Sequence, residues 1–296
     1  MMVMHYFEIL AHLPCVLPEL GPRMRQKTKT MKRIPNYLSL ALLLLLLTAC
    51  GGEAPQRKAE PPAETPTEPQ HNTLTEAERA AGWRLLFDGQ TLNGWTGYLK
   101  DTIGSSWRVE DGAIYLHADR KEGWAWKPDN GGYLVTRDTF GDFELQLEWK
   151  ITPCGNSGII YRAAMSEKYP EPWLTGPEMQ ILDNSCHPDG KIITHRAGDL
   201  YDFIAGDSTA VKPAGQWNQV RIVAVGSHIE HWLNGIKMVE VDMSTPEWEA
   251  MVAASKFGPQ GSNPSPDFAT MSAGHICLQD HNDAKVWFRN IKIKPL

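Results

Sequence analysis

No stretch of this sequence gathers lysine and arginine into a basic stripe, and its formal net charge is -6. That balance excludes a nucleic-acid partner. A glycine-rich phosphate loop, a Gly-x-Ser-x-Gly elbow and a His-Glu-x-x-His zinc helix are all missing, so three familiar catalytic frameworks drop out. Paired cysteines are scarce as well. Of five, Cys15 and Cys50 lie in the N-terminal region, leaving Cys154, Cys186 and Cys277. An odd set excludes a full disulfide framework, and one pair is allowed without the sequence choosing it. No apolar run spans a bilayer comfortably: the run from Leu38 to Leu47 is too short.

That short run instead completes an address. Met31-Lys32-Arg33 is basic, the apolar run follows, and Leu47-Thr48-Ala49-Cys50 closes it. The order resembles a bacterial lipoprotein signal, with Cys50 as the lipidated first mature residue. Residues 1–49 are therefore read as a start codon placed too early plus a signal peptide. Residues 50–72, rich in proline, glutamate and threonine, read as a lipidated cysteine and an extended tether. The expected location is the bacterial cell envelope, on the periplasmic or surface side of the outer membrane, with the membrane as partner through the lipid.

Residues 73–296 carry the fold. Thr75 with Glu78 has the form of a capping box, predicting a short helix to about Ala81. "DFELQLEWKI" puts Phe143, Leu145, Leu147 and Trp149 on one face and charged residues on the other, a period of two. Asn234-Gly235 marks a tight hairpin, and "TPEWEAMVAASKF" from Thr245 predicts a helical excursion. In "GPEMQILDNSCHPDG", Met179 and Ile181 share one strand face while Glu178 and Gln180 share the other. Short alternating strands over roughly 210 residues predict one all-β domain, a β-sandwich or jelly roll whose curved face makes a groove.

Polar residues at strand ends and turns are the candidates for chemistry. "GNSGIIYR" offers Asn156, Ser157 and Arg162; "EMQILDNSCH" offers Glu178, Gln180, Asp183 and His187. "THRAGDLYD" adds His195, Arg196 and Tyr201, "EHWLNG" adds His231 and Trp232, and "LQDHNDAKVWFRN" adds Gln279, His281 and Arg289. Each has a plainer role open to it: turn geometry for Asn156 and Asp183, a hairpin flank for His231 and Trp232, an ion pair for Arg289. Glu178 stands out, because an acid beside histidine and arginine can be tuned as a base. Glu240 and Asp242 begin the paired-acid pattern of sandwich glucanases, but Thr245 stands where the second glutamate belongs. Some of the eleven tryptophans suit stacking on the apolar side of a sugar ring.

The ordered set "GWRLLFDGQTLNGW", "GNSGIIYR", "PEMQILDN", "AGDLYD", "GQWNQVRIVAVGSHIEHWLNG" and "GHICLQDHNDAKVWFRNIKIKPL" resembles the 3-keto-disaccharide hydrolase domain family over about residues 83–296. The resemblance implies a concanavalin-A-like sandwich and a carbohydrate substrate: a glycoside oxidised at C3 by an upstream sugar 3-dehydrogenase. It implies C2 proton abstraction, elimination and net hydrolysis, with Glu178 as base or acid and His281 or His187 as proton partner. Arg162 and Gln180 would stabilise negative charge. Asn156, Ser157, Asp183, Tyr201, Trp232 and Gln279 would hold the sugar, with His187, Arg196 and Arg289 beside them.

No cofactor is required by that chemistry. A divalent metal polarising the ketone is a second route, with Glu178, Asp183, His187 or His195 as ligands, although their spacing matches no standard site. The rival class is a non-catalytic, lectin-like carbohydrate-binding lipoprotein, which shares the fold and needs neither acid nor base.

Overall fold

The computed structural model describes residues 70–117, 131–281 and 285–296. The expected signal peptide, Cys50 and the expected tether up to residue 69 lie outside the described residues. Asn72, the last residue assigned to the tether, belongs to the fold instead. It exchanges backbone–side-chain hydrogen bonds with Asn290 in both directions and donates from Nδ2 to the Gly112 carbonyl at 2.7 Å.

Thirteen strands form among the described residues. In chain order they are β1 (Arg84–Leu85), β2 (Trp95–Gly97), β3 (Trp107–Glu110), β4 (Ala113–His117), β5 (Leu134–Thr136), β6 (Phe143–Ile151) and β7 (Asn156–Ala163). There follow β8 (Glu178–Leu182), β9 (Asn218–Val225), β10 (His228–Leu233), β11 (Ile236–Asp242), β12 (His275–Leu278) and β13 (Lys285–Pro295). All pairings are antiparallel. The larger sheet runs β11-β10-β9-β6-β13-β4-β3, with β1 against β13; the smaller runs β2-β5-β12-β7-β8. The expected β-sandwich is what the chain forms.

Two local expectations also hold. Thr75 and Glu78 make both bonds of the capping box on helix α1 (Glu76–Ala80). Asn234 and Gly235 take φ of 52° and 83° between β10 and β11, as a primed turn requires. The excursion from Thr245 is helix α2 (Pro246–Ala254), with Thr245 as its N-cap.

Burial along β6 alternates residue by residue, so Phe143, Leu145, Leu147, Trp149 and Ile151 all enter the core. They meet Leu134, Ile159, Tyr161, Met179, Ile181 and Leu278 from the smaller sheet. Two polar devices cross this apolar layer. Tyr161 and His231 share a hydrogen bond of 2.9 Å between fully buried side chains, one from each sheet. Burial lowers the His231 pKa to about 4, so its ring stays neutral as the apolar layer demands.

The second device is Arg162. Its backbone takes φ of 51°, where β7 and β12 slip register between His275 and Cys277. The side chain runs to the larger sheet, donating to the Gly141 and Gly226 carbonyls and to Asp142 Oδ1 at 2.6–3.0 Å. A left-handed backbone at a non-glycine residue costs about 1–2 kcal/mol, and three charge-assisted bonds offset it. Arg162 is therefore a clamp between sheets, which corrects its expected role in catalysis.

Of the three cysteines in the domain, Cys154 and Cys186 are joined and Cys277 is free and buried. The bond ties the β6–β7 turn to the loop leaving β8.

Tyr161→Phe would leave His231 Nε2 buried without a partner. Stability should fall by about 1–3 kcal/mol, read as a lower urea midpoint at unchanged slope. An unchanged midpoint would show that the cross-sheet bond contributes nothing.

Candidate active site

A row of side chains crosses the outer face of the smaller sheet, and strand register creates it. Leu134 pairs with Leu278, Leu278 with Ile159, and all three face the core. Their neighbours Tyr133, Gln279 and Gly158 therefore face outward, since successive side chains alternate. Gly158 pairs in turn with Gln180 on β8, and Glu178 sits two residues away on the same face. The expected division of β8 is thus correct, with Met179 and Ile181 inward and Glu178 and Gln180 outward. Yet Glu178 and Gln180 are not wet surface: both are buried, in a pocket of about 210 Å³.

The roof comes from loops. Tyr201, Lys256, Phe257, Phe268 and Trp173 close over the row, and Asn156 and His281 also line the pocket. Lys256 Nζ lies 2.8 Å from Asp202 and 4.3 Å from the centre of the Tyr201 ring. His195 stacks on the same Tyr201 ring at 4.2 Å and bonds Asp202 at 2.6 Å. Phe257 and Phe268 stack at 3.9 Å, giving an apolar wall opposite the amides.

Glu178 is the group with unusual chemistry. Its carboxyl leans across β7, and a Cβ at Gly158 would overlap its Oε1. Only glycine leaves that space. No hydrogen bond from the described residues reaches the carboxylate, so burial raises its pKa to about 7; Lys256 and His281 pull it back and Asp202 adds to the rise. Burial and then the charge of Glu178 keep the Tyr201 phenol protonated; at Tyr133, Glu171 adds its charge as well. Gln180 Oε1 accepts from the Ile181 backbone N–H at 2.9 Å, which leaves its amide NH₂ for the pocket. A base of near-neutral pKa thus faces neutral and cationic donors across a partly dry space, the arrangement that proton abstraction beside a carbonyl needs.

Six of the expected residues, Asn156, Glu178, Gln180, Tyr201, Gln279 and His281, do line this pocket. His187 stands just behind it, its ring edge-to-face with His281 at 5.9 Å, and its Nδ1 accepts from the Asp189 N–H. The others lie elsewhere. Ser157 has the opposite strand phase, faces the core and donates to the Gln279 carbonyl. Asp183 shapes its loop, accepting from Cys154 N and from Ser185 N and Oγ. Arg196 donates to the Gly190 carbonyl. Trp232 and Arg289 belong to the outer face of the larger sheet, bonded to Glu230 and Glu148 respectively; Arg289 also covers Trp217 at 3.9 Å. The plain ion-pair role was the right one for Arg289.

The expected metal set does not assemble among the described residues: Glu178, Asp183, His187 and His195 bring no three ligand atoms within metal-binding distance of one another. Among the described residues, His228, Glu230 and Glu240 have metal-ligand spacing, but Lys237 already bridges the two glutamates at 3.2 and 2.6 Å. Sequence reasoning missed Tyr133, Trp173, Lys256, Phe257 and Phe268. Trp173, in the aromatic and proline-rich "EPWLTGPEM" next to β8, carried a readable signal; Lys256 carried none.

Comparison with known proteins agrees with this geometry. The sequence profile of the 3-keto-alpha-glucoside-1,2-lyase-like domain matches residues 82–294. A 3-keto-disaccharide hydrolase of Bacteroides thetaiotaomicron is 33% identical over 292 residues, covering 90% of this chain and 100% of that one. A candidate glycosyl hydrolase from Parabacteroides distasonis, known from its crystal structure, is 30% identical, with a TM-score of 0.67 over 77% of this chain and 100% of that one. A second from the same organism is 28% identical, with a TM-score of 0.53 over 72% and 99%. With the profile spanning the whole sandwich, the chain belongs to the 3-keto-alpha-glucoside-1,2-lyase-like family.

Proposed function

We propose that the chain is a hydrolase of 3-keto disaccharides and related C3-oxidised glycosides, working by elimination with Glu178 as the base. The observation that carries this reading is a buried carboxylate that receives no hydrogen bond from the described residues, leaning over Gly158. A ketone at C3 acidifies the C2 proton. Glu178 removes it, and the electron pair moves onto the C3 oxygen as an enolate. Gln180 Nε2 and Lys256 Nζ supply donors for that oxygen. The pair then returns and expels the C1 oxygen, which takes a proton from His281 as the aglycone leaves. Addition of water at C1 and return of a proton to C2 complete a net hydrolysis.

The pocket's 210 Å³ is about seven water volumes at ~30 Å³ each, room for one sugar ring with the leaving group directed outward. Phe257, Phe268 and Trp173 suit the apolar side of that ring. An upstream sugar dehydrogenase would supply the ketone. Cys50 would carry the lipid, and residues 51–71 would give reach from a bacterial envelope membrane.

Glu178→Gln should lower turnover of a 3-keto disaccharide by roughly 10²–10⁴-fold and stop deuterium uptake at C2 in D₂O, followed by NMR. Undiminished exchange removes Glu178 from the mechanism.

The wild-type rate should rise with pH through about 7, as the base loses its proton, and that limb should vanish in the variant. Stability runs the other way. Folding raises this pKa from 4.5 to about 7, so the native state holds a proton that the unfolded chain loses across that window. The protein is then most stable below about pH 4.5 in this respect and loses stability as pH climbs to 7. Glu178→Gln should therefore raise the thermal midpoint at pH 8, by on the order of 1–3 kcal/mol of stability. An equal midpoint at pH 8 would contradict the buried charge.

Cys50→Ser, expressed in a bacterial host, should move the protein from the membrane to the soluble fraction and abolish acylation detected by mass spectrometry. Membrane retention of the variant would refute the lipid anchor.

A further inference from the structure

Lys256 reaches the pocket inside a cage of rings. Its Nζ lies 4.3 Å from the centre of Tyr201, 5.1 Å from Phe257 and 5.6 Å from Trp173, and all three rings line the pocket with it. Ring faces attract an ammonium over a broad area and fix no direction. Asp202 supplies the direction, its Oδ2 pairing with Nζ at 2.8 Å. The other oxygen, Oδ1, is bonded to His195 Nε2 at 2.6 Å, and the His195 ring stacks on Tyr201. Both oxygens of this carboxylate are therefore spent on groups gathered around one ring. The backbone is set to suit. Asp202 takes φ of 71°, and its N–H donates to the Thr194 carbonyl at 3.0 Å. Most side chains resist that left-handed region, and it persists where the surroundings over-determine it.

A ketone oxygen that gains charge is best met by a donor already in place, because a donor that must move costs reorganisation during the reaction. The flexible four-carbon stem of lysine does not provide this by itself. An ammonium carries three N–H donors, so one given to Asp202 leaves others for the sugar. We propose that Asp202 is a positioning residue for the elimination: it fixes the Lys256 ammonium against the C3 oxygen, and His195 fixes Asp202. The assignment rests on the reading of Lys256 as a donor to the enolate. The roof itself does not depend on this ion pair. Phe203, the next residue, stacks on Phe257 and Phe268 and packs against Trp248, so the two roof segments stay joined without it.

The test is kcat and KM for methyl 3-keto-α-glucoside, with thermal midpoints, in wild type, Asp202→Asn, Asp202→Gly, His195→Gln and Lys256→Met. Glycine and asparagine both accept the left-handed backbone, so these two variants remove the charge or the whole carboxylate without adding strain. Lys256→Met should lower kcat by roughly 10²–10³-fold. Asp202→Gly should lower it by roughly 10–100-fold with KM nearly unchanged, and Asp202→Asn and His195→Gln by smaller factors. In the Lys256→Met background each of these three changes should cost nothing further, since they act through the missing ammonium. A wild-type kcat in Asp202→Gly, or the same loss with and without Lys256, overturns the assignment. If Asp202→Gly does not fold, Asp202→Asn decides by the same comparison. Failure of wild type to cleave the 3-keto glucoside removes the reaction and this role together. Cleavage in which Asp202 and Lys256 contribute additively removes this role alone.

Discussion

A missing side chain holds the site open. At Gly158 the row of outward residues on the smaller sheet has a gap, and the Glu178 carboxyl occupies it. Any larger residue would push the carboxylate out of the row, away from the amides on either side. The gap works only because β7 is paired in register with both β8 and β12; a slip of one residue would bring Ile159 to the outer face and bury Gly158. The chemistry of the pocket is therefore a consequence of strand pairing before it is a consequence of any catalytic residue.

The two sheets divide the labour. The larger supplies the apolar wall that makes the smaller one rigid, and its outer face is stitched with ion pairs such as Arg289–Glu148 and Arg221–Glu144. Arg162 and the Tyr161–His231 pair cross between the sheets and set their separation. The smaller sheet presents the polar row. A second apolar cluster of Tyr98, Tyr133, Val135, Ile160, Ala163 and Cys277 lies on the same outer face beside that row, and burial of this kind favours the protonated form of a carboxyl.

Much of this was legible before the fold was known, because period two and turn chemistry are local. The phase of β6 and β8, the capping box at Thr75, the Asn234-Gly235 turn and the α2 excursion all follow from neighbours in sequence. The misassigned residues share a physical cause. Ser157 differs from Asn156 only by strand phase. Arg162 sits at a bulge, and no spacing rule announces the left-handed residue that swings it to the other sheet. Trp232 and Arg289 lie on strands whose polar faces look like β8's but belong to the far sheet. Lys256 arrives from a loop after α2 and becomes part of the site only through tertiary closure. Polar alternation says that a face exists; which sheet it belongs to is decided by pairing between segments far apart in the chain.

The position of β13 has a consequence for biogenesis. Its residues are the last of the thirteen strands to be made, yet it lies inside the larger sheet, hydrogen-bonded to β6 on one side and β4 on the other. Until those residues emerge, the sheet is two fragments with unpaired inner edges. A nascent chain of this topology cannot close its larger sheet until β13 has been made, so the strands already synthesised wait on a partner more than a hundred residues downstream of β6.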